Sequence, residues 1–321
     1  MRAVFMGTPA FAVPSLRALL SAGHDVAGVF CQPDRPQGRG NRLVACPVKV
    51  FALGQGLPVY QFDRLRAPEG VAALANLAPD CVVTAAFGQI LSQALLDIPR
   101  RGAVNVHASL LPRYRGPAPI NWCIINGERI TGVTTMLTDA GVDTGDILLQ
   151  QQVEILPHET AGALSERLAH AGAALLVRTL AAVEAGNCPR AAQDAALASR
   201  HPMLRKDLGR VDWALPACRI ANLVRGTDPW PGAYTALAGE TLKILRAEAL
   251  PGDSGKNPGV VLCGDGRQGL QVSTGEGVLR VLHMQAPGGK PMPAADYLRG
   301  HPIAPGTRLG SADTPDEGVR L

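Results

Sequence analysis

Aromatic residues are scarce in this 321-residue chain: Phe, Tyr and Trp together make up 4%. Few flat rings are on hand to stack bases, which excludes a protein that grips single-stranded nucleic acid mainly by stacking. An excess of one charge is lacking too. Lys and Arg number 31 against 27 Asp and Glu, a net charge of +4. That excludes a polybasic, histone-like binder, so any nucleic-acid contact must come from a local patch. No uncharged apolar run approaches the roughly 18 residues of a membrane span. The apolar start Met1 to Met6 ends at the turn Gly7-Thr8-Pro9, too short for a secretory signal. The seven cysteines are scattered at 31, 46, 81, 123, 188, 218 and 263, with no C-x-x-C. No disulfide framework and no metal site are expected, and the expected setting is a reducing cytoplasm. Also missing are G-x-G-x-x-G, G-x-S-x-G, H-E-x-x-H and the phosphate-cradling G-x-x-x-x-G-K-[ST].

What is present is a globular composition, 46% hydrophobic and 18% charged, at a length that suits two domains. Over residues 1–185, short apolar runs alternate with helical patterns. Arg2 to Met6, Val26 to Cys31, Cys81 to Ala85, Ala103 to Val106 and Val133 to Leu137 read as buried strands. Phe11, Val13, Leu16, Leu19 and Leu20 recur at helical spacing before Gly23, and residues 160–185 read as one long helix. This alternation predicts an α/β domain with a parallel sheet, whose ligands sit at the carboxyl ends of the strands. Residues 186–205 show no periodicity and read as a linker. A helix at 216–225 and five short strands (233–237, 241–250, 259–263, 269–273 and 277–285) then predict a second domain over 206–304. They fit a small β-barrel, including the oligonucleotide-binding type. Residues 305–321 are polar and read as a flexible tail. No repeat is visible.

Three loops carry candidate chemistry. The first runs from Asn105 to Pro119. Asn105 and His107 are two apart on an extended strand, so both side chains face the same side and can donate to one developing oxyanion. The second, Leu137 to Asp146, holds Asp139, Asp143 and Asp146 among glycines. Its twelfth position from Asp139 is Gln150, so it is not an EF-hand loop. One of its carboxylates can instead orient the His107 ring and stabilise its protonated form. The third, Gln32 to Lys49, carries Arg35, Arg39, Arg42 and Lys49 with no acid between them. Its Gly and Pro residues predict an irregular loop suited to closing on a phosphate backbone. Phe87-Gly88-Gln89-Ile90-Leu91 follows the strand 81–85 and can wall a pocket for a flat heterocycle.

The stretch Asn105-Val106-His107 to Pro119 resembles the N-x-H…S-L-L-P-x-x-R-G-x-x-P signature of the formyltransferases that use 10-formyltetrahydrofolate. Val4 to Pro9, Gln32 to Pro36 with Gly38-Arg39-Gly40, Asp139 to Gly145, and Lys206 with Val211-Asp212-Trp213 resemble members that formylate methionyl-tRNA. The resemblance spans about residues 2–303. It implies a Rossmann-like formyltransferase domain followed by a barrel of oligonucleotide-binding (OB-fold) type. It implies a catalytic trio of Asn105, His107 and Asp143. It implies folate contacts from Ser109, Leu110, Leu111, Pro112, Phe87 to Leu91 and Asp139. It implies tRNA contacts from Arg35, Arg39, Arg42, Lys49 and Lys206, with Arg39 at the acceptor stem. The implied partners are 10-formyltetrahydrofolate as co-substrate and initiator methionyl-tRNA, with the enzyme a cytoplasmic monomer in translation initiation. Two other readings stay open at this point: a formyltransferase acting on a small amine, and a non-catalytic folate- or RNA-binding module. The chain departs from the pattern at Ala45-Cys46-Pro47, where a small polar residue is expected before the proline. Only 5 of the 31 basic residues are Lys, so Arg can stand at tRNA-facing positions.

Overall fold

The computed structural model describes residues 1–37, 42–252 and 255–310. The chain forms two compact units. One comprises Met1–Pro119, Ile130–Ile155 and Ala163–Pro202; the other comprises Ile120–Arg129, Leu156–Gly162 and Met203 onward. In chain order the elements up to the long helix are β1 (Arg2–Gly7), α1 (Val13–Ser21), β2 (Asp25–Cys31), β3 (Arg35–Gln37), β4 (Arg42–Val44), α2 (Pro47–Gly54), β5 (Val59–Gln61), α3 (Pro68–Asn76), β6 (Cys81–Ala85), α4 (Gln93–Leu96), β7 (Ala103–His107), α5 (Pro119–Ile125), β8 (Ile130–Leu137), β9 (Ile147–Glu154) and α6 (Ala161–Glu184).

The first unit is built on a seven-stranded sheet of order β5-β2-β1-β6-β7-β8-β9. Ala3, Val4, Phe5 and Met6 are fully buried, as a central strand covered on both faces requires. On α6, Leu164, Leu168, Leu175, Leu176 and Leu180 are buried at spacings of one and two turns. Each such side chain contributes about 1.5–3 kcal/mol on burial. The predicted parallel pairing runs from β5 to β7, but β8 is antiparallel to β7 and β9 is antiparallel to β8. For β9 the physical reason is the connection: the short loop 138–146 returns the chain directly, whereas a parallel step needs a longer crossover. The β7–β8 connection, 108–129 with α5, is long enough for either direction, so its length does not decide the reversal there.

Three further expectations are corrected. The basic loop is not irregular: β3 and β4 pair as an antiparallel hairpin, Arg35 with Val44 and Gln37 with Arg42. The stretch 186–202 is counted with the first unit and does not run free. Ala191 and Ile147 exchange backbone hydrogen bonds of 2.9 Å in both directions, and Arg115 N donates to Ser199 O at 2.9 Å. Part of the tail is also anchored. Val261 N donates to Thr307 O and Gly306 N to Val261 O, each at 2.8 Å, while Leu309 is buried. The remaining tail, 311–321, lies outside the described residues.

The second unit contains α7 (Ala217–Gly226), β10 (Ala233–Leu237), β11 (Glu240–Leu250), β12 (Val261–Asp265), β13 (Gly269–Ser273), β14 (Val278–Gln285), β15 (Met292–Pro293) and α8 (Ala294–Gly300). Its antiparallel sheet has the order β10-β11-β14-β13-β12, with β15 on β14. The turn between β10 and β11 is Ala238-Gly239, both at positive φ, which suits the twist of a tight hairpin. Trp213, Ile220, Leu242, Ile244, Leu270, Leu279 and Met284 form its core. The Trp213 indole N–H donates to Thr235 Oγ1 at 3.0 Å, so this ring is buried without an orphaned donor.

Candidate active site

β7 ends at His107, and its alternation turns Val104 and Val106 into the core while Asn105 stays half-buried. Across the parallel pair β6–β7, Thr84 stands opposite Asn105. The Thr84 hydroxyl donates to Asn105 Oδ1 at 2.8 Å. That bond orients the amide and leaves its NH₂ as the end able to serve a ligand. His107 is 7% exposed. Its Nε2 lies 2.9 Å from the carbonyl oxygen of Tyr114, and its Nδ1 lies 3.6 Å from Asp143 Oδ1. Both ring nitrogens therefore face oxygen acceptors, and a doubly protonated ring satisfies each with one N–H.

Asp143 reaches His107 by an unusual route. Because β8 is antiparallel, the loop after it starts at the far end of β7, where Thr138 N donates to Ala103 O at 2.8 Å. The chain must double back. Asp143 adopts φ +53, and a Cβ on Gly145 would collide with the Leu137 carbonyl oxygen. Asp139 shapes the same loop. Its carboxylate accepts from Gly141 N at 3.1 Å and from Thr144 Oγ1 at 2.8 Å. Asp143 Oδ2 accepts from Gly116 N at 2.8 Å. Of the three acids in this loop, Asp143 is the one brought to His107.

The loop 109–112 is tied down by Ser109 and by side chains of β8 and β9. Ser109 Oγ donates to Arg113 O at 2.7 Å, and Thr134 Oγ1 donates to Ser109 O at 2.6 Å. Gln150 Nε2 donates to Leu111 O at 2.8 Å. Ser109 and Leu111 are buried, while Leu110 and Pro112 are half-buried. In the segment 87–91, Phe87 and Leu91 are buried, and Gln89 braces the loop by accepting from Leu65 N and donating to Phe62 O. Ile90 is 66% exposed and Gly88 is also exposed. A separate cavity of about 350 Å³ lies at the Ala103 end of β7, away from His107, lined by Leu96, Arg100, Arg101, Leu137, Asp139 and Arg190 among others. Next to it, the buried Thr138 hydroxyl has no hydrogen-bond partner among the described residues.

The expected tRNA-facing residues fall into three groups. Arg35 and Arg42 are exposed on the hairpin, and Lys206 is exposed in the second unit. Arg39 lies outside the described residues. Lys49 does not present its charge outward. Its Nζ donates to Asp34 Oδ2 at 2.6 Å and to Gln61 Oε1 at 2.8 Å. This hydrogen bond, with a second from Gln61, holds the Asp34 carboxyl below the usual carboxylate range.

Sequence reasoning missed Thr84, Gly116 and Gln193. Thr84 has a signal in principle, since it stands across from Asn105 once the strands are aligned. Gln193 has none, lying 50 residues from Asp143, to whose carbonyl oxygen it donates.

The family description "Formyl transferase" matches residues 1–180, and "Formyl transferase, C-terminal domain" matches 203–302. Methionyl-tRNA formyltransferase of Geobacter sulfurreducens is 50% identical over 312 residues, 97% of this chain and 98% of that protein. That of Moorella thermoacetica is also 50% identical, over 97% of this chain and 99% of that protein. Among solved structures, the sugar 3N-formyl transferase WlaRD aligns with a TM-score of 0.65 at 19% identity, covering 88% of this chain and 97% of that one. HypX from Aquifex aeolicus, in complex with tetrahydrofolic acid, aligns at 0.59 and 19% identity over 93% of this chain and 47% of that one. These two share the fold. By its matched domains and its full-length relatives, the chain belongs to the methionyl-tRNA formyltransferase family.

Proposed function

We propose that this enzyme transfers the formyl group of 10-formyltetrahydrofolate to the α-amino group of methionine carried on initiator tRNA. The observation that carries this reading is the likeness to methionyl-tRNA formyltransferases along nearly the whole chain, through both matched domains. It does not favour a small-amine acceptor or a module without catalysis. The reading brings with it a cytoplasmic site of action and a monomeric enzyme.

The neutral amine attacks the formyl carbon. Free α-amino groups titrate at about 7.7–8.0, so little is needed to deprotonate one at neutral pH. A C–N bond forms to the methionine nitrogen while the C–N10 bond of the folate breaks. One proton leaves the amine and one arrives on N10. Between these events the carbonyl oxygen carries negative charge, and stabilising it is the largest single catalytic term in such reactions. The Asn105 NH₂, oriented by Thr84, is one donor for that oxygen. The His107 N–H is the second, once it exchanges the Tyr114 carbonyl for the substrate. Asp143 stabilises the charged ring and relays a proton through water. Ile90, Gly88 and the 109–112 loop flank the folate, and Arg35, Arg39, Arg42 and Lys206 meet tRNA phosphates.

The test is a formylation assay on the full chain with 10-formyltetrahydrofolate as donor. Formylation of methionyl initiator tRNA, at rates well above elongator methionyl-tRNA and free amines, is expected. Transfer to small amines with none to charged tRNA would overturn the reading.

A further inference from the structure

We infer that Gln193 and Arg115 form a positioning relay that sets the Asp143 loop against His107, an inference that rests on the proposed role of that pair. Arg115 stands in the signature loop, and the chemistry above gives it nothing to do. Gln193 belongs to the stretch whose sequence reads as a linker. The structure joins them through one amide. Gln193 Oε1 accepts from Arg115 Nε at 2.9 Å and from Nη2 at 2.8 Å. Its Nε2 donates to the carbonyl oxygens of Asp143 at 2.9 Å and Gly145 at 2.7 Å. Both ends of the side chain are thus used, and the amide's orientation follows from its partners, since a guanidinium can only donate and a carbonyl can only accept.

Two features single this out from ordinary loop bonding. Arg115 is 7% exposed, and among the described residues no carboxylate lies within ion-pair range of it. A buried cation directed at a neutral amide is costly, and here it polarises the amide so that the NH₂ end donates more strongly. The target is the second feature. Asp143 sits at φ +53, uncommon for a residue with a side chain, and its loop must double back to reach the ring. Gly116 N holds the carboxylate at 2.8 Å, and Gln193 holds the main chain on either side of Thr144. The adjoining strand-like stretch fixes Gln193 itself, with Ala191 paired to Ile147 and Ser199 to Arg115. Gln193 touches no reacting atom; it acts through Asp143.

The decisive variant is Gln193→Glu in the full chain. A carboxylate keeps both bonds from Arg115 but cannot donate to Asp143 O or Gly145 O. The expected result is kcat lowered about tenfold or more, beyond what the modest fall in melting temperature from two lost hydrogen bonds accounts for, since small misplacements near reacting groups are expensive. KM for methionyl-tRNA and for folate stays within about twofold, because neither binding surface is touched. Gln193→Met, which removes donors and acceptor alike, should reproduce the fall in kcat with both KM values held. Wild-type kcat in Gln193→Glu would overturn the relay. So would a kcat loss that tracks a fall in melting temperature or comes with an equal rise in KM. Asp143→Asn, measured in parallel, separates the two levels. If that variant keeps wild-type kcat, the catalytic pair is wrong; if it is impaired while Gln193→Glu is not, only the relay fails.

Discussion

Two regions of the first unit to which the proposed function gives work are built in opposite ways. Around His107, the loops 109–116, 138–147 and 191–201 are bonded to one another at nearly every turn: Ser199 to Arg115, Gln193 to Asp143, Gly116 to the Asp143 carboxylate, Gln150 to Leu111. The basic hairpin β3–β4 is built otherwise. Its described strand residues pair with each other, its Arg35 and Arg42 are exposed, and Leu43 is 71% exposed. The difference fits the two tasks proposed for them. Stabilising a charge that exists only at the transition state requires donors fixed before the substrate arrives. Holding a phosphate backbone requires charge and reach, and tolerates imprecise geometry.

The largest expected effect comes from breaking the fixed region. Asn105→Ala, His107→Ala and Asp143→Ala should each lower kcat by about 10²–10³ while leaving KM for methionyl-tRNA within a few-fold. Steady-state kinetics on charged initiator tRNA decide it. If all three variants keep wild-type kcat, the pre-set donors are not the catalytic groups.

The exposed region should respond more gently and through a different parameter. Arg35→Ala and Arg42→Ala should each weaken tRNA binding and reduce the slope of log affinity against log salt by about 1, the mark of one lost phosphate contact. At saturating tRNA, kcat should not change, nor should folate binding. A salt slope equal to wild type would remove the hairpin from the tRNA interface. A fall in kcat at saturation would mean that the two regions are not separate. Lys49 sharpens the contrast. Its charge is taken up by Asp34 and Gln61, so Lys49→Ala should disturb the base of the hairpin more than the salt slope.

How much of this was legible before the structure follows from the range of the interactions. β1, β2, β6, β7 and α6, with β10, β11, β13 and β14, are readable because each is an apolar run or period bounded by its own turn residues. β9 turns back on β8 because their loop is short, while the longer β7–β8 connection leaves the direction open, and local pattern does not report strand direction. The stretch 186–202 carries no periodicity because isolated bridges and the side chains of Gln193 and Ser199 hold it, not a buried face. In the site, the pairing of Asn105 with His107 follows from strand alternation. Which acid serves His107 was left open by spacing alone, and only the family resemblance pointed to Asp143. Thr84 bonds Asn105 across 21 positions, and no local motif contains both.

The smallest effect concerns the stretch 186–202 at His201, and it is a pH effect. His201 stacks on Tyr114 with ring centroids 5.0 Å apart, and burial lowers its pKa from the ordinary 6.5. The native ring therefore takes up a proton less readily than the same ring in the unfolded chain. Above about pH 6.5 both forms are neutral and the group contributes no pH dependence. As the pH falls below that value, the unfolded chain is protonated first, and stability is lost until the folded pKa is passed. His201→Phe keeps a ring against Tyr114 and removes the titration. The melting temperature of the wild type should fall more than that of His201→Phe between about pH 7.5 and 5.5. Parallel curves for the two proteins would show that the stack does not oppose protonation, and that the stretch 186–202 is tied to the loops by its backbone, Gln193 and Ser199 without a contribution from this ring.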